Sequence, residues 1–276
     1  MELSFFKYQG TGNDFVIIDN RQSVFDKNNT KLVAALCDRR FGIGADGLIL
    51  LENDKMSDIK MVYDNCLCQR HGNGGAQFMG TVGGAESSMC GNGGRCLVAF
   101  AHYLGVIDKE TTFNAVDGLH YATIEGDIVN LKMMDVDKIH EKPNHSFLDT
   151  GSPHHVQLVT ALDKFDVQKE GKKLRYGIYG ESGSNINFVE QIKDNAFDVR
   201  TYERGVEGET FSCGTGVTAV ALAMHESGKT AANEVHIHTI GGDLTISFEK
   251  KDGKYRNIFL KGPAIQVFKG TIECSI

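Results

Sequence analysis

Two cysteines in this 276-residue chain stand in the same local setting, Met89-Cys90-Gly91-Asn92-Gly93 and Ser212-Cys213-Gly214-Thr215-Gly216. Each precedes a segment that is apolar nearly all round, Cys96 to Leu104 and Val217 to Met224, the pattern of a helix buried on every side. A cysteine at such a helix start lies beside backbone N–H groups without intrahelical partners, at the positive end of the macrodipole. That setting favours the thiolate. The N–H groups around Gly91-Asn92 and Gly214-Thr215 also form anion sites that could hold a carboxylate. Two such thiols suit inversion at a carbon acid, in which one face loses a proton to a thiolate and the other receives one from a thiol. Charge developing on the carboxylate would strengthen its bonds to both helix starts, so no cofactor is needed. A lone cysteine is more often a small buried hydrophobe, and that is the expectation for Cys37, Cys96 and Cys274.

The elements that must position this pair follow from an internal repeat. Tyr63-Asp64 matches Tyr202-Glu203 at an offset of 139 residues, and Gly12 to Phe15 resembles Gly151 to His154 at the same offset. The cysteine motifs are 123 residues apart, and each cysteine precedes a glycine, Gly105 or Gly228, by fifteen residues. The first half therefore carries 16 extra residues between Tyr63 and Gly84. Val16-Ile17-Ile18, Leu48 to Leu51, Phe188-Val189, Val235 to Ile237 and Leu244 to Phe248 read as strands. Each half thus wraps strands around a central helix. The spacing puts the boundary near Met133-Met134: residues 1–133 form a half carrying Cys90, residues 134–258 form a half carrying Cys213, and residues 259–276 pack back.

Composition narrows the function. Hydrophobic residues are 41% and charged residues 24% of the chain, enough for a packed core and against disorder. The charge balance, 29 Lys and Arg against 36 Asp and Glu, lacks the basic footprint of a nucleic-acid binder. No stretch approaches the roughly 20 apolar residues of a membrane span, and Met1 to Lys7 has no signal-peptide core, so a cytoplasmic protein is expected. Seven cysteines without secretory features predict reduced thiols. The expected partner is a small molecule, with neither nucleic acid nor membrane, and a homodimer is compatible with the sequence.

Gly10-Thr11-Gly12-Asn13-Asp14-Phe15, the two cysteine motifs and Tyr202-Glu203-Arg204-Gly205, in this order, resemble the signatures of the diaminopimelate epimerases over nearly the whole chain. The resemblance implies an α/β (mixed α+β) fold of two pseudo-symmetric halves, each a mixed, barrel-like β-sheet around a central buried helix. It implies a cofactor-independent epimerase of lysine biosynthesis, with Cys90 and Cys213 as the acid/base pair and no metal. The amides of Gly91, Asn92, Gly214 and Thr215 would hold the α-carboxylate, and Asn13 and Asn65 would help position the substrate. Asn187, Glu203 and Arg204 would hold the remote amino-acid end, and His154 and Glu203 would tune the thiols.

Some residues depart from the family pattern. The extra segment begins at Cys66, directly after Asn65, and could move that residue; Asn73 is a conceivable substitute. Ser152 stands where the family usually has Asn, and Gly47 where it often has Gln. The segment's Cys66-x-Cys68-x-x-His71 cluster has no second paired element, so a loop is expected over a zinc site. Two other functions remain open: a proline-racemase-like enzyme using the same two-thiol logic, and a non-catalytic thiol- or metal-binding protein. Cys90 and Cys96, six residues apart, would point to different faces of a helix, unlike a redox pair.

Overall fold

The structure is a computed structural model that describes residues 2–66 and 90–274; the Cys68–His71 part of the cluster and Asn73 lie outside the described residues. Seventeen strands and four α-helices are present among these residues. The chain divides into two compact units, Met1–Val129 with Pro263–Ile276, and Asn130–Gly262.

The first unit contains β1 (Glu2–Gly10), β2 (Asn13–Asp19), α1 (Thr30–Cys37), β3 (Gly47–Glu52), β4 (Ile59–Asn65), α2 (Gly91–Tyr103), β5 (Glu110–Ala115) and β6 (Gly118–Glu125). The division falls within β7 (Ile128–Lys132), and the last strand of the chain, which belongs to the first unit, spans Ile265–Glu273. β2 runs antiparallel to β1 and parallel to β3, β3 antiparallel to β4, and β4 parallel to β5. The terminal strand pairs antiparallel with β1, so the end of the chain completes the first unit.

The second unit contains β8 (His140–Lys142), β9 (His145–Asp149), β10 (Pro153–Leu158), α3 (Val167–Tyr179), β11 (Asn185–Lys193), β12 (Ala196–Glu203), β13 (Gly208–Thr210), α4 (Gly214–Glu226), β14 (Glu234–Thr239), β15 (Gly242–Lys251) and β16 (Lys254–Pro263). Its ladder repeats the first: β9 antiparallel to β10, β10 parallel to β11, β11 antiparallel to β12, β12 parallel to β14, β14 antiparallel to β15. In each unit one helix joins the first parallel pair and a second, following a cysteine, joins the next. The duplication in sequence is therefore a duplication of topology, and the mixed α/β class read from the sequence is the one observed.

The two cysteine-led helices are held by burial rather than by propensity. Gly91, Gly93 and Gly94 cost α2 roughly 1 kcal/mol each relative to alanine. Leu97, Val98 and Phe100 are all fully buried, and at roughly 1.5–3 kcal/mol per large apolar side chain their burial outweighs that cost. Strands β1, β2, β3, β4 and β6 enclose α2; β9, β10, β11, β12, β14 and β15 enclose α4. Both helices stop the same way, on Gly105 and Gly228 with φ of +67° and +69°. The next residue's N–H, from Val106 or Lys229, closes back on the carbonyl of Ala101 or Met224, the wrapped helix ending that a left-handed glycine permits. This accounts for the fifteen-residue Cys-to-Gly spacing in both halves.

Helices α1 and α3 were not evident from apolar periodicity. Their signals are caps: the Asn29 side chain accepts from the Leu32 N–H, and the Asp166 side chain from the Lys169 N–H. Among the described residues no helix is long and apolar enough to cross a membrane. Cys66, at the end of β4, is buried in one apolar cluster with Cys37 and Cys274.

Candidate active site

Cys90 is the N-cap of α2, with extended backbone (φ −96°, ψ 120°), and its carbonyl accepts the first helical bond from the Gly94 N–H at 2.7 Å. The following amides, Gly91 and Asn92, are buried in the first turn. The Asn92 side chain donates through Nδ2 to Asn13 Oδ1 at 2.5 Å, and Asn13 Nδ2 donates to Asp46 Oδ2 at 3.0 Å. Asp46 is tied to Arg39 at 2.8 Å, and Asp14 to Lys7 and Arg39. These cations, together with hydrogen bonding, hold the Asp14 carboxyl below the usual range against the opposing effect of burial. Asn13 thus opens β2 with its amide clamped between a helix start and a partly buried ionic cluster.

Cys213 is the N-cap of α4 with the same extended geometry (φ −120°, ψ 110°), and its carbonyl accepts from the Val217 N–H at 2.9 Å. It is only 9% exposed. Thr215 Oγ1 lies 3.5 Å from Cys213 Sγ and 2.9 Å from His154 Nε2. His154 Nδ1 in turn lies 3.2 Å from Asn187 Nδ2, which can only donate. His154 Nδ1 is therefore the acceptor, Nε2 carries the proton and donates to Thr215, and the Thr215 hydroxyl hydrogen is directed at the Cys213 sulfur. A hydroxyl donating to sulfur favours the thiolate over the thiol.

His154 is fully buried, and burial, with Arg204 as a lesser cause, pulls its pKa down to about 3. It stays neutral at physiological pH and works as a fixed donor rather than a cation. His155 beside it is lowered to about 4, first by burial and then by His145. Because both folded values lie below the ordinary 6.5, the unfolded chain binds more protons than the folded chain between those limits. Their stabilising contribution is complete above pH 6.5 and is lost as pH falls toward 4 and then 3, at up to about 1.4 kcal/mol per pH unit for each histidine. The thermal midpoint of the protein is expected to fall between pH 7 and pH 5, and His154→Gln to flatten that slope. Parallel slopes for both proteins would contradict the assignment.

Beside Cys213, Gly216 is fixed by a close approach. A Cβ on Gly216 would lie 2.5 Å from Asn187 Oδ1 and 3.2 Å from Cys213 Cβ. Gly216→Ala is expected to push Asn187 off His154 and lower activity by up to about tenfold, the scale of one lost hydrogen bond between neutral groups. Steady-state kinetics on protein with an unchanged circular dichroism spectrum would check it.

The whole chain has recognisable relatives. A profile of the family described as diaminopimelate epimerase matches residues 5–137 and 146–267. The chain is 55% identical over 272 residues to a diaminopimelate epimerase from Flavobacterium psychrophilum, covering 98% of this chain and all of that one. It belongs to the diaminopimelate epimerase family. A second relative of that name, from Chlorobaculum tepidum, is 39% identical, covering 95% of this chain and 98% of its own. Among solved structures, a phenazine biosynthesis protein of the PhzF family from Bacillus anthracis superposes with a TM-score of 0.75 at 13% identity, covering 99% of this chain and all of that one. A hydroxyproline epimerase from Agrobacterium vitis does so with 0.67 at 14%, covering 98% and 92%. These two share the fold.

Within this diaminopimelate epimerase family member, the residues singled out by sequence gather in two sets. In the first unit Asn13, Gly91 and Asn92 sit with Cys90. Asn65 ends β4, exposed, opposite Gly47 in the ladder. At Gly47 a Cβ would meet the Tyr63 ring at 2.5 Å, which leaves no room for a side chain there. In the second unit His154, Asn187, Gly214 and Thr215 sit with Cys213. Glu203 ends β12, accepting from Thr210 Oγ1 at 2.6 Å, and Arg204 follows, donating its backbone N–H to Asn185 Oδ1 and its guanidinium to the Ser182 carbonyl.

Asn187 is placed behind His154. It is fully buried, its Nδ2 is shared between His154 and the His155 carbonyl, and its Oδ1 accepts from Thr201. Asn185, two residues earlier on the same face of β11, bonds both Arg204 and Ser152. Sequence reasoning passed over Asn185, although the i, i+2 spacing of two asparagines in a strand was the available signal. It also passed over Asp46, Thr11 and Arg95, whose partners lie far away in the chain.

Proposed function

We propose that the protein interconverts LL- and meso-diaminopimelate without a cofactor, supplying lysine and, where present, peptidoglycan precursors. The observation that carries this reading is the matched placement of Cys90 and Cys213, each an extended N-cap before a thirteen-residue helix enclosed by strands. The Cα proton of an amino acid is weakly acidic. One thiolate removes it while the other cysteine, as a thiol, delivers a proton, and the charge built up on the α-carboxylate is met by helix-start amides at Gly91, Asn92, Gly214 and Thr215. Which cysteine is the base depends on which stereoisomer binds, so the reverse reaction exchanges their roles.

In this reading Asn13 orients the substrate from the first unit, and Asn65, at the exposed end of β4, contributes to the same edge. Arg204 supplies a guanidinium for the remote carboxylate, with Glu203 beside it for the remote ammonium. Asn187 acts through His154, and Asn185 with Ser152 stands in the position to touch the remote end, since the amide of Asn187 is already engaged. His154 tunes Cys213 through Thr215. Diaminopimelate is then the small-molecule partner, and the cytoplasm the place of action.

The test compares diaminopimelate and proline side by side, following deuterium incorporation from heavy water at Cα. Incorporation with inversion is expected for diaminopimelate alone. Turnover of proline at a comparable rate, or no incorporation into either, would overturn the reading.

A further inference from the structure

Arg95 is fully buried on α2, five residues after Cys90, yet among the described residues no carboxylate pairs with it. Its Nη2 donates to Thr11 Oγ1 at 3.0 Å, its Nε reaches the Pro263 carbonyl at 3.5 Å, and its Nη1 has no hydrogen-bond partner among the described residues. Burial lowers its pKa only to about 10, so it remains a cation. An isolated buried charge is expensive unless something answers it.

The answer runs through the side chains it touches. Thr11, its own hydrogen directed away from Arg95, donates to Asn92 Oδ1 at 3.4 Å; Asn92 Nδ2 donates to Asn13 Oδ1 at 2.5 Å; Asn13 Nδ2 donates to Asp46 Oδ2 at 3.0 Å. Every bond points the same way, from a buried guanidinium to a buried carboxylate held by Arg39. Chains of this kind polarise each member along one direction, and reversing any amide would break two bonds at once.

We propose that Arg95 and Asp46 are positioning residues for the half-site around Cys90, the two ends of one donor-to-acceptor chain that fixes the orientation of the Asn92 and Asn13 amides. With its oxygen taken by Asn92 and one N–H by Asp46, Asn13 has one N–H left to offer, and a ligand that meets it must present an acceptor such as a carboxylate oxygen. The chain itself does not depend on the proposed function; only the identity of the carboxylate rests on that reading.

The test uses the full protein labelled with 15N in asparagine. Thr11→Val cuts the chain near one end and Asp46→Asn alters the other, while Thr11→Ser keeps the hydroxyl. In the proposal, Thr11→Val shifts the side-chain amide resonances of both Asn92 and Asn13, Asp46→Asn does the same from the far end, and Thr11→Ser returns them toward wild-type positions. Effects confined to the nearest asparagine in each variant, or Thr11→Ser behaving like Thr11→Val, overturn it. Kinetics supply the second readout: Thr11→Val is expected to raise KM for diaminopimelate about tenfold, the scale of one hydrogen bond, with kcat changed less than about threefold. A fall in kcat alone would contradict an orienting role. If wild-type protein fails to epimerise diaminopimelate while the resonances still move together, the chain stands and only the functional reading fails.

Discussion

Cys90→Ala and Cys213→Ala are each expected to lower kcat for epimerisation by about 10³-fold or more, because each removes an acid/base group at the reacting carbon and general acid–base catalysis contributes on the order of 10²–10⁴. The loss should not be uniform in kind. Each variant keeps one thiol, and that thiol still meets a helix start that stabilises a carboxylate. It can therefore take a proton from the one stereoisomer whose Cα–H it faces and return a deuteron to the same side. Incubation of each pure stereoisomer in heavy water should show wash-in without inversion for one isomer in one variant and for the other isomer in the other. Neither single cysteine should support net inversion. Full turnover by either variant would remove the two-base mechanism, and identical wash-in patterns would remove the division of labour between the sulfurs.

The second large effect is expected from Thr215→Val, which keeps side-chain volume and the backbone N–H of the anion site but deletes the hydroxyl between His154 and Cys213. A hydrogen bond to a charged group contributes about 1.5–3 kcal/mol, which is roughly 10- to 100-fold in the thiolate-to-thiol ratio. Losing it disfavours the thiolate, so the acidic limb of kcat/KM moves to higher pH by about one to two units and activity at neutral pH falls by the corresponding factor. The loss should be recovered at alkaline pH, where the thiolate forms without help. Thr215→Ser should restore the limb. An acidic limb that stays in place would show that Thr215 serves packing only. Because His154 is neutral, replacing it by Gln tests the same chain without removing a charge.

How much of this was readable beforehand depends on how local the signal is. The strands at Val16 to Ile18, Leu48 to Leu51 and Leu244 to Phe248, and the two buried helices, are written in runs of apolar residues, and each appears at the expected place. Helices α1 and α3 were hidden because α1 spans only eight residues, α3 buries only Val167, Gly171 and Arg175, and their caps, Asn29 and Asp166, are single residues. Of the candidate site, the cysteines and the amides after them could be placed because helix starts are local. The orientation of a side-chain amide is not local: Asn92 and Asn13 are 79 residues apart in the chain, Thr11 and Arg95 84.

From the residues alone, the duplication, the two cysteine caps and the burial of the helices behind them were determined, because periodicity and spacing act within a turn or a strand. Only the tertiary structure decided that Asn187 serves His154 while Asn185 meets Arg204, that Thr215 joins His154 to Cys213, and that a buried cation and a buried carboxylate bracket Asn13. Those outcomes depend on which polar groups, once withdrawn from water, can find a partner within about 3 Å. That is a property of the packed chain, and no window of sequence contains it.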